Sequence, residues 1–129
     1  MLVEDDPDMA QMFSFGLTFA GHEVEVAGDG CRALERVRSK RFDLVFLDVQ
    51  LPRVDGLTAL AFLRSNGSTR DLPVAMLTNS GDETLRRKAH SLGILDWLVK
   101  SDVTPRELAR RATAWTSHQE VTAVGKQVH

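Results

Sequence analysis

A chain of 129 residues with 43% hydrophobic and 26% charged residues has the size and composition of one globular domain. Its net charge of −2 gives no overall positive field, which argues against direct binding to nucleic acid or to an anionic membrane. No apolar run approaches the ~18 residues of a membrane span. The single cysteine, Cys31, excludes an internal disulfide and fits a reducing compartment, so we expect a cytoplasmic protein.

Short apolar runs alternate with helical periodicity along the whole chain. In chain order, the patterns predict strands at 1–3, 24–27, 44–47, 73–77 and 94–99. Apolar residues at helical spacing predict three helices, at 9–20, 33–37 and 57–63. Capping signals predict two more helices, which begin after Ser80 and after Thr104. Parallel strands need such crossover helices. The alternation therefore predicts an α/β protein whose five-stranded parallel sheet is doubly wound into three layers.

Several residues mark the ends of these helices. Asp6 and Pro7 suit the cap and the first position of the first helix, and Gly21 suits its end. Ser80 with Glu83 and Thr104 with Glu107 have the spacing of capping boxes for the fourth and fifth helices. Helical periodicity is lost near Ser117, which predicts a frayed helix end or a disordered tail over 117–129.

The most informative stretch runs from Phe42 to Gly56. Leu44–Leu47 are four consecutive apolar residues, as in a strand that is covered on both faces. This strand ends on Asp48, and Pro52 with the pair Asp55-Gly56 then turns the chain. Ligands of open α/β sheets bind at the carboxyl ends of the strands. A strand-end aspartate is equally often a turn or capping residue, so Asp48 alone leaves both interpretations open.

The other strand ends supply further functional groups. They are Glu4 and Asp5 after the first strand, Asp48 after the third, Thr78 at the fourth and Lys100 at the fifth. If the first, third and fourth strands are adjacent, these side chains converge in one crevice. Three neighbouring carboxylates repel one another and call for a cation. Oxygen ligands without histidine or cysteine favour Mg²⁺ or Mn²⁺ over zinc.

We expect Asp5, Asp48 and the backbone carbonyl of Gln50 to bind this cation directly, with Glu4 acting through water. A lysine ammonium and a threonine hydroxyl facing the carboxylates are suited to binding phosphoryl oxygens. Asp48 would then attack the phosphorus of a donor and become an acyl phosphate. Lys100 and the metal would stabilise the charge on the transferred group.

These residues resemble the receiver domain of bacterial two-component response regulators, over residues 1 to about 116. The matching features are the acidic run in Leu2–Asp6, the loop with Asp48, Leu51-Pro52 and Asp55-Gly56, the hydroxyl of Thr78 and the amine of Lys100. The resemblance implies a flavodoxin-like fold with strand order 2-1-3-4-5. It also implies phosphoryl transfer from a histidine kinase or phosphotransfer protein, and a two-state switch read by a downstream protein. Such a module is a signalling domain, a monomer or weak dimer, and catalyses only its own phosphorylation and dephosphorylation.

Four positions depart from the usual family pattern. Ser101 replaces the proline that commonly follows the lysine, and a cis bond before a non-proline residue costs roughly 3 kcal/mol, so we expect a trans Lys100–Ser101 bond and a rerouted loop. Trp97 fills the aromatic switch position, where tyrosine or phenylalanine is commoner. Asn79 is larger than usual beside Thr78. Gln50 lies where the resemblance implies control of acyl phosphate hydrolysis.

Alternative functions follow from the same residues. One is a Mg²⁺-dependent phosphatase with an aspartate nucleophile, of the haloacid-dehalogenase type. Such enzymes have an acid/base aspartate two residues after the nucleophile, where this chain has Gln50. Another is a flavodoxin-like cofactor binder, whose phosphate the acidic run Glu4–Asp6 would repel. A third is a receiver-like module that acts without phosphorylation.

Overall fold

The structure is a computed structural model that describes residues 1–79 and 81–117 fully, and beyond them only the helical course of the backbone to Val128. The strands are β1 (Leu2–Val3), β2 (Val26–Ala27), β3 (Val45–Leu47), β4 (Val74–Thr78) and β5 (Trp97–Val99). The helices are α1 (Pro7–Phe19), α2 (Gly30–Ser39), α3 (Gly56–Ser65), α4 (Glu83–Leu92) and α5 (Pro105–Val128), with a 3-10 turn at Lys100–Asp102. The predicted tail over 117–129 falls almost wholly outside the fully described residues and stays a prediction.

All five strands are parallel and lie in the order β2-β1-β3-β4-β5. The register pairs Val3 with Leu47, and Leu47 with Met76. The central strands β1, β3 and β4 therefore end at one edge of the sheet. Both the predicted α/β architecture and the strand order 2-1-3-4-5 are confirmed. Among the described residues, no helix combines the length and hydrophobicity needed to cross a membrane.

The core has two halves, one on each face of the sheet. Along β3, Val45 and Leu47 pack in the half that contains residues of α2, α3 and α4, while Phe46 packs in the half that contains residues of α1 and α5. All three side chains are at most 2% exposed. Burial on both faces explains why this strand is continuously apolar instead of alternating.

Most predicted helix ends are confirmed, and one is wrong. Asp6 accepts hydrogen bonds from the backbone of α1, Gly21 has a φ of 98°, and Thr104 accepts one from the Glu107 amide. The cap of α4 is Asp82, which accepts bonds from Thr84 N and Leu85 N, and not Ser80 as predicted.

The helix propensities of Gly81 and Asp82 explain why α4 does not begin directly after Ser80. A helix capped by Ser80 would contain Gly81 and Asp82 in its first turn. Glycine is a poor helix former, whereas aspartate is one of the preferred N-cap residues. The helix therefore begins later, at Glu83.

Candidate active site

The candidate site lies at the carboxyl edge of the sheet, where four strands end. Glu4 and Asp5 follow β1, Asp48 follows β3, and Thr78 is the last residue of β4. Lys100 follows β5 as the first residue of the 3-10 turn. Because β1, β3, β4 and β5 are consecutive neighbours in the sheet, these residues share one edge. The backbone thus brings together groups that lie up to 96 positions apart in the sequence.

Lys100 is the electrostatic centre of the site. Its Nζ donates a hydrogen bond to Asp48 Oδ2 at 2.6 Å and forms an ion pair with Glu4 Oε1. All three side chains are at most 4% exposed. Burial is the largest single influence on the pKa of Lys100 and lowers it, but the hydrogen bonds and negative charges of Asp48 and Glu4 together outweigh burial and raise the pKa. The amine is therefore charged at neutral pH.

Three carboxylates form a potential metal site. Glu4, Asp5 and Asp48 each offer an oxygen within 4.8 Å of the others. Glu4 and Asp48 are buried, whereas Asp5 is exposed at the mouth of the site. A set of carboxylate oxygens without nitrogen or sulfur fits a hard divalent cation. The direct pairing of Glu4 with Lys100 was not foreseen, since the sequence analysis gave Glu4 only a water-mediated metal role.

The loop after Asp48 is held by close backbone contacts. The amide of Gln50 donates to Asp48 Oδ1 at 3.2 Å, while the use of its carbonyl as a metal ligand stays a prediction. A Cβ atom at Gly56 would lie 1.9 Å from the Asp48 carbonyl oxygen. A Cβ atom at Gly30, at the start of α2, would lie 1.9 Å from the Val54 carbonyl oxygen. Both positions therefore exclude any side chain.

The role of Gly30 was missed by the sequence analysis. Gly30 and Val54 lie 24 positions apart, and no short-range pattern links them. Arg53 was missed as well: its φ of 71° is the single positive value among the described non-glycine residues. Left-handed backbone costs a residue with a Cβ about 1 kcal/mol. The run Pro52-Arg53 gives a turn signal in the sequence, but it does not specify the sign of φ.

Thr78 and Trp97 lie beneath the site. Thr78 is completely buried and is in register with Val99, the residue before Lys100. Trp97 is 6% exposed and belongs to the half of the core that contains α2, α3 and α4 residues. The indole is therefore packed inward in this structure. The Lys100–Ser101 bond is trans, as predicted, and the chain continues through the 3-10 turn.

Comparisons with known proteins all point to response regulators. The family profile described as response regulator receiver domain matches residues 1–113. The response regulator MprA of Mycobacterium ulcerans is 38% identical over 110 residues, which are 85% of this chain and 47% of that protein. The DNA-binding dual master transcriptional regulator RpaA of Synechocystis is 34% identical over 110 residues, 85% of this chain and 46% of that protein. The chain thus spans about half the length of these curated relatives.

A solved structure adds a likeness in three dimensions. The receiver domain of a sensor histidine kinase from Pseudomonas aeruginosa is 28% identical, with a TM-score of 0.80 over 90% of this chain and 94% of that chain. That crystal structure has a magnesium ion coordinated in its active-site cleft.

Proposed function

This chain belongs to the response regulator receiver family, and from that premise we propose that Asp48 accepts a phosphoryl group and thereby switches the binding of a partner protein. The observation that carries the proposal is the buried contact of Lys100 Nζ with Asp48 Oδ2 at 2.6 Å, beside the carboxylates of Glu4 and Asp5. A neutral or distant Lys100 could not stabilise a phosphoryl group on Asp48.

The three acidic residues are suited to hold Mg²⁺ or Mn²⁺. We assign Asp5, Asp48 and the Gln50 carbonyl as direct ligands, with Glu4 contributing through water. When bound, the cation supplies positive charge for the phosphoryl oxygens. The exposed position of Asp5 supports this assignment, because it leaves that side of the site open to solvent and to a hydrated ion.

The chemical step is an in-line displacement at phosphorus. A carboxylate oxygen of Asp48 forms the new P–O bond as the P–N bond of a phosphohistidine donor breaks. The electron pair of the P–N bond stays on the imidazole nitrogen. The products are an acyl phosphate and a histidine that takes up a proton. Lys100 then exchanges part of its contact with the carboxylate for a phosphoryl oxygen. Most of the catalysis comes from positioning.

The switch would involve Thr78 and Trp97. In our proposal the Thr78 hydroxyl turns to bind a phosphoryl oxygen, which changes the packing near β5. Register contacts of Thr78 with Val99 and of Met76 with Trp97 support this coupling, since they join the two strands directly. Family membership favours this signalling role over the alternative of a Mg²⁺-dependent phosphatase. Such a phosphatase needs an acid/base aspartate two residues after the nucleophile, and this chain has Gln50 at that position.

The partners we propose are a histidine kinase or phosphotransfer protein as donor and a protein as downstream target, in the cytoplasm. RpaA is a DNA-binding regulator, and about half of its length is not matched by this chain. The net charge of −2 supports contact with a protein, and not with nucleic acid, as the way in which this chain acts.

Acetyl phosphate with Mg²⁺, followed by intact mass measurement, tests the phosphoacceptor role. We expect the wild-type chain to gain the mass of one phosphoryl group and the Asp48→Asn variant to gain none. Asp55→Asn is a matched control in the same loop, because asparagine retains the helix cap that Asp55 provides. Chelation of the metal should abolish labelling. A wild-type chain that stays unlabelled, while a known receiver is labelled in parallel, would contradict the proposal.

A further inference from the structure

Arg64, near the end of α3, joins three segments of the chain. Its guanidinium makes five hydrogen-bond contacts, and all of them go to backbone carbonyls. Nε donates to Leu92 O at 3.0 Å and Nη2 to Gly93 O at 2.8 Å, at the end of α4. Nη1 donates to Arg70 O at 3.0 Å and Thr69 O at 3.3 Å, in the loop before β4. One side chain thereby connects the C-terminal end of α4 to α3 and to that loop.

The carbonyls that Arg64 binds at the end of α4 are groups that the helix cannot satisfy itself. The last carbonyls of a helix have no partner within it, and Gly93 leaves the helix with a φ of 92°. A positive charge at this end also offsets the partial negative charge of the helix dipole. Hydrogen bonds from a charged donor are stronger than those between neutral groups. The C-terminal end of α4 is therefore firmly attached.

The first half of α4 has no comparable attachment. Within the part of the chain that the structure describes, residues 83–88 form hydrogen bonds and ion pairs only within α4 and with its cap Asp82. Ala89 is the single fully buried residue of the helix. Leu85, in the first half, lines a groove together with Asp5 and Gln50 of the candidate active site. The helix is thus fixed at the end away from the site and lightly held at the end that faces it.

We propose that Arg64 is a positioning residue that makes the C-terminal end of α4 a fixed pivot for the switch; this inference rests on the proposed function. β4 ends at Thr78 and α4 begins at Glu83, so four residues transmit any movement of Thr78 to the helix. Because Arg64 holds the far end, a displacement that begins at Thr78 is confined to the first half of α4. It does not pass through Gly93 into the segment before β5.

Hydrogen exchange with mass spectrometry on the full chain, with and without Mg²⁺ and beryllofluoride as a phosphoryl mimic, tests the pivot. In the wild type, we expect the mimic to change the exchange rates of peptides over 82–88 by at least about threefold. Peptides over 89–95 should change by less than about twofold, because their end of the helix stays bonded to Arg64.

Arg64→Met removes all five contacts and retains an unbranched apolar stem. Without the mimic, exchange over 89–95 should become at least about tenfold faster, because hydrogen bonds from a charged donor no longer oppose local opening. With the mimic, 89–95 should then respond as 82–88 does. Arg64→Lys keeps the charge but not the fork of donors, so its response should lie between those of Arg64→Met and the wild type. Urea unfolding checks that each variant is folded, and Arg64→Lys carries the test if Arg64→Met is not.

Two controls separate the pivot from a general loss of stability. Thr69→Val breaks the buried bond from Thr69 Oγ1 to Leu63 O at 2.7 Å, which supports the same loop without contacting α4. It should lower the urea midpoint and leave the effect of the mimic confined to 82–88. Arg87→Met removes an arginine of α4 that pairs only with Glu83 of the same helix, and it should change neither measurement.

Several outcomes would overturn the pivot. They are a mimic effect that spans all of α4 in the wild type, an unchanged pattern in Arg64→Met, and the same spread to 89–95 in Thr69→Val. A wild type whose Asp48 is labelled by acetyl phosphate, but whose α4 does not respond to the mimic, would also overturn it and leave the phosphoacceptor role standing. A wild type that stays unlabelled would contradict both.

Discussion

The buried ion cluster at the active site can be compared with a second ion network, on α5, which also pairs carboxylates with cationic side chains. The site cluster consists of Glu4, Asp48 and Lys100, and the α5 network consists of Asp96, Glu107, Arg110 and Arg111. Side chains of the site cluster are at most 4% exposed, whereas those of the α5 network are 34% to 70% exposed.

The charges of the two clusters differ in how much they depend on one another. In the site cluster, desolvation of the charges offsets most of their attraction, so each group depends on its partners. In the α5 network, water solvates and screens every charge, so each pair contributes little. Lys100 also serves two carboxylates, which leaves the site cluster with a net negative charge that a cation can neutralise. Burial therefore makes the charges of the site cluster depend on one another, while the α5 network connects α5 to Asp96, the residue before β5.

The largest expected effect comes from Lys100→Met. This change leaves Glu4 and Asp48 buried without their cation, which costs roughly 3 to 5 kcal/mol in the free energy of unfolding. Urea unfolding in the presence of a chelator measures the loss, and Mg²⁺ should restore part of it. Arg110→Met in the α5 network is the control and should stay within about 0.5 kcal/mol of wild type. Equal losses in the two variants would remove the distinction between the clusters.

Gly56→Ala tests whether the backbone holds the site cluster in place. The added Cβ atom would lie 1.9 Å from the Asp48 carbonyl, so the loop must shift. We expect a loss of about 1 to 3 kcal/mol in the free energy of unfolding, with slower labelling by acetyl phosphate. Gly67→Ala, where a Cβ atom meets nothing within 4 Å, is the control and should do neither. Unchanged labelling in Gly56→Ala would show that the loop tolerates displacement.

Arg53→Asn tests whether the loop after Asp48 is strained by the positive φ of Arg53. Asparagine tolerates the left-handed backbone at this position better than arginine, so we expect a gain of up to about 1 kcal/mol. Arg41→Asn, in a loop without a positive φ, should give no such gain. Chemical denaturation of both variants measures the difference. A destabilised Arg53→Asn would indicate that the side chain of Arg53 contributes more than its backbone strain costs.

The smallest expected effect is the pH dependence of the α5 network. Hydrogen bonds from Arg110 and Arg111 lower the pKa of Glu107 from 4.5 to about 2. A lowered folded-state pKa stabilises the protein above pH 4.5, and this contribution is lost as the pH falls towards 2. The melting temperatures of wild type and Glu107→Gln should therefore approach each other as the pH falls from 5 towards 2. A difference that stays constant over this range would show that the Glu107 pKa is not lowered in the folded protein.

The sequence predicted the fold and the location of the site better than the contacts within it. Parallel strands bring their carboxyl ends to one edge, so Asp5, Asp48 and Lys100 could be placed together from the strand pattern and the strand order that the family resemblance implies. The pairing of Glu4 with Lys100 could not, because it depends on which side-chain rotamers meet across the two strands, β3 and β4, that lie between β1 and β5. The cap of α4 was misassigned because Ser80 and Asp82 are both good capping residues, and the spacing of Ser80 to Glu83 was given more weight than the poor helix propensity of Gly81.

The inward packing of Trp97 also gives this protein its own optical probe. A buried indole emits at shorter wavelengths than a hydrated one, so its fluorescence follows the polarity around β5. Trp115 is the one other tryptophan of the chain, and a Trp115→Phe background would leave a single emitter. Events at Asp48 could then be followed in real time without an attached dye.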